Sequence, residues 1–453
     1  MKNIFPVINI IIFYFLLKSA HCYLIFPFKT YQLQVKDDNK NISLLFSSIF
    51  HNHIFASLEI GEPKQIIKIF LRSDKNDFCL SEKPTNMTGN DNIFGENEYF
   101  NIENSHSLEV TNKSVILYPD IYIGNASKDY IYFPNDKNET IKKKFEFILY
   151  HGVDKFPGII GLNAIIDDSD KKYNFINNLK VNDLINSYFW MINYTSDYEG
   201  DLIIGEQPHI FDPENYKEEE LYVSYTFLDD LMYNWGLLFD EIIFGEKHFR
   251  QYHGCELRYE INYIKGNSEI ENELDIFFNE SIINETCHKK GVKYKNTTYR
   301  FFYCDKDKYE NNLKYFKNIE FYHYEFNYTF TLNYKDLFIE KYDKLILMIF
   351  FDNIPFDIYL GKPFLRKYSF LINQDLNILS FYKTKKEKEK EKGNNNSNNN
   401  FIILKIILIA IGVIILFSLG IFIGKYFYKE RKKKKINNID EDYDYLSKNE
   451  EIN

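Results

Sequence analysis

The chain has 453 residues, 18% of them aromatic, and 65 acidic against 55 basic side chains, for a net charge of −10. That aromatic content is ample for a large core. The acidic balance, with basic runs only at the C-terminal end, excludes a nucleic-acid-binding protein on electrostatic grounds.

In chain order, Met1-Lys2, an apolar run from Ile4 to Leu17 and the small residues before Cys22 have the pattern of a secretory signal peptide over residues 1–22. Its apolar run is too short to cross a bilayer. Beyond it, most segments alternate apolar and polar residues between turn residues, as in Ile54–Ile60, Ile121–Gly124, Asp201–Gly205 and Tyr328–Asn333, and are predicted to be strands. Phe175, Leu179 and Leu184 give one modest helical spacing. Many short strands over this length predict an all-β protein of two lobes, since a single β core rarely grows so large.

Residues 384–400 follow as a low-complexity stalk, alternating Lys and Glu and then almost entirely Asn. Residues 401–424 are apolar apart from Lys405 and reach about 36 Å as a helix, long enough to be a transmembrane helix. The basic block Lys425–Lys435 then holds residues 425–453 as a cytoplasmic tail. The expected protein is a single-pass type I membrane protein of the cell surface or a secretory organelle. In the tail, Tyr443 and Leu446 have the Tyr-x-x-apolar spacing read by clathrin adaptors. Of five cysteines, Cys22 leaves with the signal or ends the mature chain. The remaining four predict two disulfides in an oxidising compartment, Cys287–Cys304 as the preferred pair and Cys79–Cys255 as the remainder. Sequons such as Asn41-Ile-Ser and Asn327-Tyr-Thr fit a secreted glycoprotein.

Five landmarks in order connect residues 53–383 to a known family. Ile60-Gly-Glu-Pro-Lys-Gln65 comes first, then Phe156-Pro-Gly-Ile-Ile-Gly-Leu162, then Phe189-Trp190 with Glu199–Gly205. Trp235 with Phe239–Gly245 is the fourth, and Ile358-Tyr-Leu-Gly-Lys-Pro-Phe-Leu-Arg-Lys-Tyr368 the last and strongest. Together they resemble the pepsin-like aspartic proteases. The resemblance implies a bilobal pepsin-like fold with few short helices, an N-terminal lobe over 23–205 including the interlobe strands, and a C-terminal lobe over 206–383.

In that family each lobe offers an Asp-Thr/Ser-Gly turn, and the two aspartates share a proton and activate one water, their like charges pushing the two pKa values apart. Family spacing from Gln65 reaches Arg72-Ser73-Asp74 in this chain, and the second turn reads Arg258-Tyr259-Glu260. Both catalytic aspartates are replaced by arginine, whose guanidinium stays protonated and cannot act as a base. The family's Tyr-Gly flap is also missing from Asn104–Ser114, where it is expected. An acid two residues after each arginine predicts a cross-lobe clasp, Arg72 with Glu260 and Arg258 with Asp74, because buried charges need partners.

The leading expectation is a pseudoprotease that binds a protein or peptide partner through the interlobe cleft or a lobe surface, with no cofactor and no metal. The alternatives are a divergent aspartic-type endopeptidase acting through Asp74 and Glu260, and a surface receptor or adhesin whose site lies away from the cleft.

Overall fold

In His53–Ile60 (β2) buried side chains alternate with partly exposed ones, so one face of the strand meets a core and the other does not. Lys344–Phe351 (β22) is apolar without alternation and is buried on nearly every residue, which requires cover on both faces. Leu345, Leu347, Ile349 and Phe351 join the main core. Ile346, Met348 and Phe350 join a second cluster capped by Phe46 and Ile49.

The computed structural model describes residues 23–31, 46, 49–50, 53–82, 98–117, 122–134, 140–150, 156–164, 171–218, 221–225, 234–294, 297–354 and 358–382. All of them belong to one compact unit, Met1–Lys383. The expected signal peptide, stalk, span and tail, with Cys22, Tyr443 and Leu446, lie outside the described residues. Among the described residues, no helix is long and apolar enough to cross a membrane.

The protein is mostly β. The first half of the chain contributes β1 (Leu24–Tyr31), β2, β3 (Gln65–Arg72), β4 (Phe78–Ser81), β5 (Glu109–Leu117), β6 (Tyr122–Pro134), β7 (Thr140–Tyr150), β8 (Gly158–Gly161), β9 (Phe189–Tyr194) and β10 (Glu199–Ile204). Next come β11 (Leu221–Tyr225), β12 (Gly236–Phe239), β13 (Glu241–Phe244), β14 (Lys247–Phe249), β15 (His253–Leu257), β16 (Ile264–Lys265), β17 (Cys287–Tyr294) and β18 (Thr297–Asp305). The last are β19 (Ile319–His323), β20 (Tyr328–Leu332), β21 (Phe338–Lys341), β22, β23 (Ile358–Leu360), β24 (Phe370–Asn373) and β25 (Ile378–Tyr382). Helices are short: α1 (Phe175–Val181), α2 (Pro208–Phe211), α3 (Ser268–Ile283), α4 (Lys306–Tyr309), α5 (Tyr334–Leu337) and α6 (Lys362–Leu365). Phe175 and Leu179 do lie in α1. Among the described residues the longest helix is α3, which buries Ile270, Leu274 and Phe278 and is capped by Asn267, whose side chain accepts from the Ile270 N–H at 3.0 Å.

One sheet topology occurs twice. Across the first half the strands run β2-β3-β8-β4-β7-β6-β5, and across the second β12-β15-β23-β16-β22-β18-β17. Both series pair antiparallel, parallel, antiparallel, parallel, antiparallel, antiparallel. In each, a late strand (β8 or β23) slots between two early ones, beside the turn that follows β3 or β15. That insertion demands glycine at its end. A Cβ on Gly161 would lie 2.5 Å from the backbone of Asn76 and Asp77, and one on Gly361 only 2.2 Å from the Tyr263 carbonyl. Strands β11, β25, β24, β9, β10 and β1 extend the first sheet and so bring β1 and β25, the first and last described strands, into one sheet. Strands β14, β13, β19 and β20 form a separate sheet.

Cys287 and Cys304 pair across β17 and β18 as a disulfide. The expected Cys79–Cys255 bond is not formed. Cys79 packs with Ala126 and Ile148 in the first half, whereas Cys255 is fully buried in the core on β15 in the second. Each sulfur belongs to its own half of the repeat.

Candidate functional site

The two equivalent turns meet. Arg72 ends β3 and Arg258 follows β15 directly, so the repeat puts Arg72-Ser73-Asp74 and Arg258-Tyr259-Glu260 at corresponding places. Ser73, 1% exposed, joins them: its Oγ lies 3.1 Å from the Leu257 carbonyl and 2.7 Å from Glu260 Oε2, and accepts from the Tyr259 N–H at 3.1 Å. A hydroxyl has one hydrogen, so it donates to the carbonyl or to the carboxylate at any one time. The Ser73 N–H adds a bond to Glu260 Oε2 at 3.3 Å.

Around this bridge lie two guanidiniums and three carboxylates, all largely buried. Arg72 Nε donates to Asp74 Oδ1 at 2.7 Å, and its terminal nitrogen pairs with Oδ2. Arg258 holds Glu256 through Nε at 2.7 Å and through a terminal nitrogen at 2.6 Å, and Glu260 at 3.2 Å. It also approaches Asp74 at 4.0 Å. The Arg258–Asp74 limb of the expected clasp is therefore present at its outer limit. Glu260 is held by Ser73 and by Arg258, while Arg72 grips the acid of its own turn. Each guanidinium also lies over an aromatic ring, Arg72 over Phe156 at 5.7 Å and Arg258 over Tyr359 at 4.9 Å.

These charges set the chemistry. Burial pushes the Asp74 carboxyl up, but Arg72, then Arg258 and Lys75, hold it at about 2. Burial opposes the Arg258 charge, yet Glu260, Glu256 and Asp74 together raise its pKa above the ordinary value. Burial also raises the pKa of the Tyr259 phenol, which is 2% exposed and stacks edge-on to Trp190 at 5.7 Å. The arrangement offers a carboxylate, Asp74, that stays ionised above about pH 3, beside two guanidiniums that stay protonated.

Further polar contacts lock the turns in place. Trp235 Nε1 donates to the Leu162 carbonyl at 2.8 Å, and Asn163 Nδ2 donates to Asn234 Oδ1 at 3.1 Å. Asn234 Nδ2 in turn reaches Glu256 Oε2 at 3.0 Å. Sequence reasoning missed Asn163, Asn234 and Glu256. Their only signal is position, just beyond Gly161, before Trp235 and before Arg258.

The hairpin over the first half corrects one expectation. Its arms are β5 and β6, paired as far as Leu117 opposite Tyr122, so Glu109–Ser114 belongs to the first arm and not to the turn. Ile102–Asn104 is a 3-10 turn. The irregular pairing between Val110 and Ser114 lengthens the first arm and hid this register. On the second half, Phe46 stacks on Phe350 at 5.6 Å and Phe50 on Tyr263 at 5.6 Å, and Asn262 Nδ2 donates to the Ile49 carbonyl at 3.4 Å. The segment before β2 therefore covers the face next to Glu260.

Among the described residues no cluster of His, Cys, Asp and Glu could hold a metal ion. No protein-family model matches the chain, and no curated protein matches it.

Proposed function

We propose that the chain is a catalytically inactive relative of the pepsin-like aspartic proteases, anchored in the secretory pathway by a C-terminal span, that holds a protein or peptide partner beside its paired turns. One observation carries the reading: Arg72 and Arg258 occupy equivalent ends of a repeated topology, beside the contact that Ser73 makes with Glu260. A water-activating dyad needs one protonated and one ionised carboxyl there. Asp74, held at about 2, is ionised from pH 3 to 7 and is a poor base. The arginines accept no proton.

A binding role has its own support. The apolar face formed by Tyr263, Phe301 and Phe350 already takes up Phe46 and Ile49, so it accommodates an aromatic segment without any chemistry. Partner binding then consists of apolar packing and backbone pairing, neither of which needs an aspartate.

The test is incubation of the purified full-length chain with a mixed peptide library from pH 3 to 7, with Asp74→Ala and Glu260→Ala beside it. The expected result is no cleavage at any pH, with retention of a subset of peptides. Cleavage abolished by either substitution would make the protein a divergent endopeptidase and end the reading.

A further inference from the structure

A cavity of about 360 Å³, lined also by Ile49 and by Asn262 two residues beyond Glu260, lies between the Asp197–Tyr198 turn joining β9 to β10, helix α5, strand β21 and the start of α6. Its volume falls in the range of about 300–1,000 Å³ usual for small-molecule sites. Its lining is rich in charge of both signs, and what matters is which charges are already matched.

All three acids are matched. Asp197 pairs with Arg366. Asp336 takes Lys367 at 2.7 Å while also capping α5 through the Asn333 N–H at 2.9 Å. Glu340 takes Lys306 at 2.7 Å. Lys367 and Lys306 do not line the cavity, so they neutralise its acids from behind. Three lining lysines are left. Lys335 is exposed at the rim, Lys341 is half-buried, and Lys362 is only 9% exposed. The Lys362 ammonium donates to the main-chain carbonyl of Asp197 and lies 5.5 Å from the Tyr198 ring centre. It has a neutral partner where a buried cation calls for an anionic one.

We propose that this cavity binds a small phosphorylated molecule, with Lys341 and Lys362 holding the phosphate, Lys335 closing the rim and Tyr198 packing on the organic part. Lysines suit this ligand because an ammonium binds phosphate as a point charge from several directions. Tyr198 is 53% exposed and leaves a ring face open. The phosphate supplies the charge that Lys362 lacks.

Titration gives a second handle. Burial pulls the Lys362 amine down to about 8, with Asp197 opposing and Arg366 adding to the fall. Burial lowers Lys341 as well. The other charged groups facing the site are Asp336 and Lys335 on α5 and Glu340 on β21, with the acids matched as described. A bound phosphate dianion favours the ammonium form. Binding therefore takes up a proton near pH 8, and affinity falls as pH rises from 7 to 9. Phosphate esters stay dianionic over that interval.

The experiment is isothermal titration of the full-length chain in detergent micelles with fructose 1,6-bisphosphate and, separately, with dioctanoyl phosphatidylinositol 4-phosphate, at pH 7 and 9. Lys341→Ala, Lys362→Met and, as a control on an exposed strand, Lys293→Ala run alongside. Saturable binding at pH 7 is expected, weakened about tenfold or more by either site substitution, weaker at pH 9, and unchanged by the control. In Lys362→Met the pH dependence should flatten; should that variant fold poorly, Lys341→Ala carries the test alone. Binding of the bisphosphate identifies a soluble phosphate ester, and binding of the lipid alone identifies a headgroup. No binding of either, or equal loss in the control, overturns the site.

Discussion

Replacing Arg258 with Met is the sharpest test of how the paired turns are held. The guanidinium contacts three carboxylates, Glu256 at 2.6 Å, Glu260 at 3.2 Å and Asp74 at 4.0 Å, and is 11% exposed. Methionine fills much of the volume but leaves Glu256 and Glu260 buried, close together and without their cation. Removing one partner of a buried pair costs about 3–5 kcal/mol, which corresponds to a fall in Tm of roughly 10 °C. Trp190 and Trp235 are the chain's only tryptophans, are fully buried and lie 6.5 Å apart beside Tyr259. Intrinsic fluorescence therefore follows this interface during melting. Adding Glu260→Gln should restore about 1–3 kcal/mol. A variant within about 0.5 kcal/mol of wild type at pH 7 would refute the account.

Four further outcomes are expected. Ser73→Ala removes the hydroxyl shared by Leu257, Tyr259 and Glu260 and should cost about 1–3 kcal/mol in denaturant unfolding, while Ser73→Thr retains most of it. Because Asp74 sits at about 2 against an ordinary 3.8, it contributes about 2.4 kcal/mol that is complete above about pH 5 and is lost as pH falls from there toward 1. Acid titration of Asp74→Asn should show a flatter curve across that interval. Opening the Cys287–Cys304 disulfide, which closes a 17-residue separation, should cost about 3 kcal/mol by thermal melting of the Cys287→Ser/Cys304→Ser chain. Throughout, the Cys255 thiol, fully buried and with its pKa raised by burial, should resist alkylation until the protein unfolds.

Much of this was legible in the residues, and the reason is local. The strand rhythm of Ile54–Ile60 or Tyr328–Leu332 reflects which face is buried, and that depends only on neighbours two positions away. Composition and alternation determined an all-β chain. The spacing of charged residues in Arg72-Ser73-Asp74 and Arg258-Tyr259-Glu260 determined that no aspartate stands at either first position.

Pairing between distant segments was decided by the tertiary structure alone. Nothing near Ser73 in sequence says that its hydroxyl reaches Leu257 and Glu260, because that contact exists only once β8 and β23 are threaded beside the two turns. The same holds for Cys79 and Cys255, an even count that suggested a bond which the separate halves of the repeat do not form. It holds also for Lys362, which reads as an ordinary surface cation beside Gly361 until the Asp197–Tyr198 turn closes over it. Burial is a property of everything that packs around a side chain, and a linear pattern carries only the part of it that comes from the side chain's own strand or helix.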